Sequence, residues 1–333
     1  MQRIPVTVRA NLELAANDHG LEYIAGEGIT GWDESACYQF TQRQIKEDLV
    51  GPAEEIEDLC LQVVDRAINT ESVLQRLGIP DEFWDYIADS WRNNDKNLLG
   101  RMDFSYNGNG PAKLLEYNAD TPTTLYESAV FQWEWLEHAL DKGLVSEGCD
   151  QLNDVHESIV AAFSVIGLET LTHFACNADI EDDKGTLDYI EECANEAMLE
   201  TCFLKMEDIG IDEKGRFIDL DNRIITSLVK LYPWEWLMGE DYASHIPTSG
   251  VQFFEPPWKS ILSNKGLLPL LWGMFEGHPN LLPAFFEDDP ESRDLIDTGN
   301  YVRKPQLSRQ GANIEIVQNN VTLLQTDGPY ADK

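Results

Sequence analysis

Residues 101–124 read Arg-Met-Asp-Phe-Ser-Tyr-Asn-Gly-Asn-Gly-Pro-Ala-Lys-Leu-Leu-Glu-Tyr-Asn-Ala-Asp-Thr-Pro-Thr-Thr, and the reading of the whole chain turns on them. Two Gly, two Asn and a Pro between Tyr106 and Pro111 make a tight turn. The flanking runs, Arg101–Ser105 and Ala112–Asn118, are short and partly apolar, which predicts a β-hairpin. Side chains alternate faces along a strand. Arg101 and Asp103 therefore share one face of the first strand, and Glu116 and Asn118 share one face of the second. In register, two carboxylates, an amide oxygen and a guanidinium meet at one spot. Hard oxygen ligands without Cys or His suit Mg²⁺, which takes its remaining ligands from water and phosphates. An adjacent arginine suits a phosphate or carboxylate. A solvated hairpin with ordinary surface charges fits the same spacing. The hydroxyl-dense Ala119-Asp-Thr-Pro-Thr-Thr that follows opens a predicted helix over Leu125–Leu140, and a helix start rich in Ser/Thr donors is an anion site or a plain N-cap.

Composition narrows the classes. The formal net charge is −36, which opposes nucleic-acid binding, since that needs cationic surface. Acidity for solubility and a field that concentrates cationic substrates both fit; the even spread of acids along the chain favours the first. No apolar run reaches the ~18 residues of a membrane span, and the N-terminus has no apolar signal core. A cytoplasmic protein with no membrane partner is expected. The six cysteines are scattered without a Cys-x-x-Cys pair, so neither a zinc site nor a disulfide framework is read from spacing.

The remaining chain divides into three parts. Residues 1–95 read as a helical layer: a short helix over Asn11–Asp18, a helix over Asp33–Leu49, a long one opened by Pro52 and running through Leu77, and an aromatic-rich one over Asp81–Trp91. Residues 96–250 read as α/β. After the hairpin come a helix over Gln151–Ile166, a strand over Glu169–Cys176, a turn of acids over Asn177–Thr186, a helix over Leu187–Glu200 and a strand over Glu200–Met206. That is a βαβ-like unit with Asp182 and Asp183 beyond the carboxyl end of its first strand, where ligands of open α/β sheets sit. A solvated turn is the competing reading of those acids. Residues 251–333 read as a small subdomain with Lys265 near a helix start and Lys304 before the loop Gln306–Asn313. Lysines neutralise phosphates and a Gly-containing loop approaches them with backbone N–H groups, although no Gly-x-x-x-x-Gly-Lys-Ser/Thr sequence is present.

Glu116-Tyr-Asn-Ala-Asp-Thr-Pro-Thr after Gly100-Arg-Met-Asp-Phe resembles the metal and substrate segment of the glutathionylspermidine synthase family, ATP-grasp carboxylate–amine ligases. Trp32-Asp-Glu-Ser-Ala, Ala88-Asp-Ser-Trp-Arg, Asn264-Lys-x-x-Leu-Pro and Lys304-Pro…Gly311-x-Asn follow in the family order. The resemblance covers essentially the whole chain and is closest to stand-alone synthetases without an amidase domain. It implies an α/β (α+β) ATP-grasp fold with an N-terminal helical layer, a central α/β domain and a nucleotide lid. It implies Mg²⁺ on Asp103, Glu116 and Asn118, and ATP on Arg101, Asp103, Lys265, Lys304, Gly311 and Ala312. Arg101 is the implied catalytic residue, Thr121 and Thr123 orient the acid, and Asp182 and Asp183 hold a polyamine-like amine. Thr121, Thr123 and Leu231 depart from the family's Ser, Ser and Thr, which tells against glutathione itself and leaves the acid open between glutathione and another peptide-like carboxylate, with the ligase chemistry untouched. The family's adenine-holding strand, its hinge and a later arginine would follow the last residue, Lys333, so the lid is expected to be incomplete. A degenerate nucleotide- or polyamine-binding protein is the alternative, and an acidic cation buffer a distant third.

Overall fold

A computed structural model of the chain describes residues 1–10, 12, 14, 16, 32–168 and 171–330. The helix expected over Asn11–Asp18 lies largely outside the described residues. The chain begins with β1 (Gln2–Pro5), which pairs antiparallel with β2 (Ala36–Gln39), Gln2 opposite Gln39. This corrects the helix expected over Asp33–Leu49. A partner strand distant in sequence overrides local preference at residues 36–39, and helical geometry starts only after Thr41.

Helix α1 (Gly51–Ala67) opens with Pro52 in its first turn, where a missing N–H costs nothing. Its buried residues Ile56, Cys60, Val63, Val64 and Ala67 line one face. The long helix expected through Leu77 is two: Asn69 and Thr70 break it, and α2 (Glu71–Arg76) starts after an extended Thr70. Helix α3 (Trp84–Arg92) follows as expected.

The hairpin forms as read, with β3 (Arg101–Ser105) antiparallel to β4 (Lys113–Asn118). Arg101 stands opposite Asn118 and Asp103 opposite Glu116, then the register shifts so that Phe104 meets Leu114. Leu115 is thus the extra residue of a β-bulge. Leu114 and Tyr117, three apart, both enter the core, and Met102 and Phe104 pack against it.

The helical stretch from Leu125 ends in α4 (Gln132–Asp141), and α5 is Val155–Ile166. The centre of the fold is a four-stranded parallel sheet in the order β10 (Gln252–Phe254), β9 (Ser227–Leu231), β5 (Thr172–Cys176), β6 (Thr201–Lys205). Strands β5 and β9 are buried at every position, as inner parallel strands covered on both faces are. Phe174, Cys176, Val229, Leu231 and Phe254 pack with α5 and with α6 (Glu181–Glu196). Ala175, Leu228 and Phe253 face the larger core, which is shared with α1, α2 and α3 and continues to Phe286. The sheet takes β10 from beyond residue 250. Strands β7 (Gly210–Ile211) and β8 (Phe217–Ile218) form a small hairpin. After the short helices α7 (Trp234–Leu237) and α8 (Ser260–Ser263), the chain forms α9 (Leu267–Met274) and α10 (Pro290–Asp297). An antiparallel sheet of β11 (Tyr301–Arg303), β12 (Glu315–Gln318) and β13 (Val321–Gln325) ends it.

Of the turn of acids expected after β5, only Ala178–Asp179 forms a turn. Helix α6 begins at Glu181, directly after an extended Ile180, and Glu181, Asp182 and Asp183 make up its first turn. Acids are favoured there by the unpaired N–H groups and the helix dipole.

Two buried ion pairs lock the carboxyl edge of the sheet. Lys230 Nζ lies 2.5 Å from Asp120 Oδ1, with side-chain exposures of 0% and 2%. Asp120 Oδ2 accepts the Trp234 N–H at 2.8 Å, and Lys230 also donates to the Tyr232 carbonyl at 3.0 Å. The second pair is Glu255–Lys259 at 2.7 Å. Glu255 accepts the backbone N–H groups of Leu98 and Leu99, and Lys259 donates to the Leu99 carbonyl, which fixes the chain just before β3. Removing one partner of a buried pair strands the other charge. Lys230→Met is therefore expected to lower unfolding stability by about 3–5 kcal/mol in urea titrations, with the double variant Lys230→Met/Asp120→Asn recovering part of the loss.

Candidate active site

The register of β3 and β4 brings Arg101, Asp103, Glu116 and Asn118 to one face. Arg101 Nε donates to Asp103 Oδ1 at 2.9 Å, and Asn118 Nδ2 donates to Glu116 Oε1 at 3.2 Å. Both expected lysines reach this face. Lys265 Nζ is 3.5 Å and Lys304 Nζ 4.0 Å from Glu116 Oε2. Burial pushes the Glu116 carboxyl up, but Lys265, the Asn118 amide and Lys304 together outweigh it and hold the group below its ordinary range. Burial pulls the Lys304 ammonium down, with Lys265 adding to the effect and Glu116 opposing it. An anion arriving between the two lysines would relieve that cost.

The loop Gln306–Asn313 is tied to the same place. Lys265 Nζ donates to the Ser308 carbonyl at 2.7 Å, and its N–H donates to Gln306 at 3.0 Å. Lys304 Nζ donates to the Leu115 carbonyl at 3.2 Å, the carbonyl of the bulge residue. Gly311 has φ +71°, a left-handed conformation that suits glycine. Gly311 and Ala312 contact the end of the chain: Thr326 Oγ1 donates to the Gly311 carbonyl at 2.6 Å, and Gly328 abuts Ala312.

The threonines join the hairpin to the start of α6. Arg101 Nη1 donates to the Thr123 carbonyl at 3.0 Å and to Thr124 Oγ1 at 3.2 Å. Thr124 has φ +65°, a costly conformation for a β-branched residue and one that tends to occur at functional sites. Asp182 is raised by burial against the lowering of a hydrogen bond to Thr123 and of Arg101 and Arg309. Asp183 is 5% exposed, and burial pushes it from 3.8 up to about 6, with Arg309 lowering it and Asp182 raising it.

Arg309 was not singled out from the sequence, where it is one of several polar residues in a loop. It donates to Thr121 Oγ1 at 2.7 Å, lies 5.5 Å above the Trp236 ring, and acts on both acids. Asp120 and Lys230 were also missed. Their signal was present: a lone lysine in the apolar run Ser227-Leu-Val-Lys-Leu-Tyr marks a buried, paired charge.

The site fits the groups a nucleotide would bring. Its donor set is hard oxygen, suited to Mg²⁺. The recess beside it is lined by Glu116, Asn118, Ser263, Asn264, Lys265 and Leu268, and the Ser263 hydroxyl is buried without a hydrogen-bond partner among the described residues.

The fold has a known counterpart. The structure of a glutathione synthetase-like effector from Globodera pallida superposes with a TM-score of 0.50 over 83% of this chain and 71% of that one, at 11% sequence identity. That likeness shows a shared mixed α/β fold. The family model of the glutathionylspermidine synthase preATP-grasp region matches residues 3–333, and the chain belongs to that family. Two named relatives are ligases. The "Putative acid--amine ligase" of Haemophilus influenzae is 37% identical over 301 residues, which cover 89% of this chain and 74% of that protein. The bifunctional glutathionylspermidine synthetase/amidase of Escherichia coli is 25% identical over 338 residues, 93% of this chain but 53% of that one. Among the described residues, no helix is long and apolar enough to cross a membrane.

Asp183 gives a pH test. Its folded pKa lies above the ordinary value, so between about pH 4 and 6 this group holds its proton more in the native state than in the unfolded chain, and its contribution to stability falls as pH rises through that window. Asp183→Asn is expected to remove the fall. The variant should be more stable than the parent by about 1–3 kcal/mol at pH 7, with the difference closing towards pH 4, as measured by thermal melts across that range.

Proposed function

We propose that the protein is an ATP-dependent ligase that joins a small carboxylic acid to a polyamine-like amine through an acyl phosphate. The observation that carries this reading is the position of Arg101. One guanidinium reaches Asp103 in the metal and phosphate corner and the Thr123 carbonyl and Thr124 hydroxyl in the substrate corner, where Thr123 meets Asp182. A reaction that moves a phosphoryl group onto one substrate and then lets a second displace it needs those corners adjacent.

In this reading Asp103, Glu116 and Asn118 hold Mg²⁺, and Lys265 and Lys304 hold the phosphates of ATP beside the loop through Ala312. When bound, Mg²⁺-ATP supplies the phosphoryl group and the metal offsets charge on it. Arg101 stabilises the charge that develops as the acid's carboxylate oxygen attacks the terminal phosphorus and ADP leaves. Thr121, fixed by Arg309, and Thr123 orient the acid; glutathione or another peptide-like carboxylate fits those hydroxyls. Asp182 and Asp183 hold the cationic amine. Near neutral pH Asp183 is mostly ionised, and it takes the proton that the amine must lose before its nitrogen attacks the acyl carbon and expels phosphate. No side-chain nucleophile is required.

The test is ADP release by the full chain with Mg²⁺-ATP, offered glutathione and other peptide acids against spermidine and shorter diamines. Release that needs both an acid and an amine, with an amide product by mass, is the expected result. Asp103→Ala and Glu116→Ala should each reduce turnover by about 10²–10³-fold. Full activity in both variants would remove the metal assignment, and melting shifted by Mg²⁺-ATP without any turnover would leave only nucleotide binding.

A further inference from the structure

At the opposite end of the central sheet, three side chains not involved in that reading form a second constellation. His173 on β5 and Cys202 on β6 are direct neighbours in the parallel register, so both project from the same face, side by side. Asp219, just after β8, closes the third side: the His173 and Asp219 side chains are 0% and 3% exposed, and Nε2 lies 3.1 Å from Oδ2. An imidazole nitrogen, a thiol sulfur and a carboxylate oxygen all fall within 4.8 Å of one another. Among the described residues, no other group of three such side chains does so.

The geometry points to an exchangeable site for a divalent transition metal of the Zn²⁺ type at His173, Cys202 and Asp219, with Arg223 as its resident counter-cation. The ligand types are those zinc prefers, three from protein with a fourth position for water. Two of them stand on adjacent strands of a buried sheet, which holds them better than loops would. The carboxylate is already aimed: Asp219 Oδ1 accepts the backbone N–H groups of Asp221 at 2.9 Å and Arg223 at 2.8 Å, leaving Oδ2 for the cluster. Arg223 now fills the metal's place electrically. Its Nε donates to Asp219 Oδ2 at 2.7 Å and its Nη2 to Cys202 Sγ at 3.3 Å. Its side chain is 45% exposed, and Nη2 lies 3.3 Å from Asp221.

The exchange balances. Cys202 gives its thiol proton to solvent, and the thiolate and the Asp219 carboxylate neutralise the divalent ion. The displaced guanidinium keeps Asp221 as its partner. His173 Nδ1 is buried without a hydrogen-bond partner among the described residues, so the imidazole lacks the outer acceptor that strengthens zinc-bound histidines. The site therefore suits a metal that comes and goes, and its occupancy ties β5, β6 and the turn at 219–223 together without touching the ligase residues.

Co²⁺ is the probe, because a thiolate ligand gives it a near-ultraviolet charge-transfer band and tetrahedral geometry gives it visible bands. Titrated into the full-length chain under reducing conditions, Co²⁺ should produce both, and Zn²⁺ should abolish them. Cys202→Ser should lose the charge-transfer band, and Arg223→Ala should bind roughly tenfold more tightly because the competing cation is gone. Zn²⁺ should raise the melting temperature of the parent but not of Cys202→Ser. No band in the parent chain overturns the inference, even if Arg223→Ala shows one, since Arg223 would then be a permanent occupant. A band that survives Cys202→Ser overturns it as well. The readouts do not depend on ligase turnover.

Discussion

Of the two buried ion pairs at the carboxyl edge of the central sheet, Lys230 to Asp120 is the one on which the candidate site depends. Lys230 is the charged residue of a strand otherwise filled with apolar and small side chains, and the sheet leaves it no water. Desolvating both charges is expensive, so the pair is tolerated only because each atom is used. The ammonium meets Asp120, the Tyr232 carbonyl and the Trp234 ring, and the free carboxylate oxygen takes the Trp234 N–H. The segment beginning at Asp120 carries the threonines, and the segment at Trp234 carries Trp236, on which Arg309 rests. The Thr121 and Thr123 segment, Arg309 and the central sheet are thereby tied to one contact.

The site also carries unfavourable features that folding alone would not retain. Asp183 is buried at a cost above pH 6, Thr124 sits in a left-handed conformation, and two lysines crowd one carboxylate. Under the proposed function a ligand would relieve the acids and the lysines: a cationic amine for the former, polyphosphate for the latter. Stability withheld at such positions is the usual mark of a binding site.

Much of this was legible in the sequence where the determinants are local. The hairpin follows from Asn107-Gly-Asn-Gly-Pro and the alternation around it, and its register placed four polar residues together correctly. Most of what was missed depends on contacts between distant segments. Strand β2 forms because Gln2–Pro5 lies beside it, which no window around Asp33–Leu49 contains. The acids at 181–183 looked like a turn because their Gly185 and charges outweigh the helical pattern, yet the extended Ile180 places them at a helix start, where charge is welcome. Arg309 is one loop residue among several until Thr121, 188 positions away, is brought to it.

The bulge at Leu115 sets which side chains of β4 face the core. In a regular strand Leu114, Glu116 and Asn118 would point the same way, and burying the leucine would bury the glutamate and the amide. One extra residue changes the phase: Leu114 and Tyr117 go inward, Glu116 and Asn118 turn outward, and the surplus carbonyl greets Lys304. Chain length in β4 is thus a two-position switch between core and chemistry. Substitutions along this strand would act by degrees, whereas deletion of a single residue would invert its faces at once. Length, rather than residue identity, is the property of β4 that drift can least afford to change.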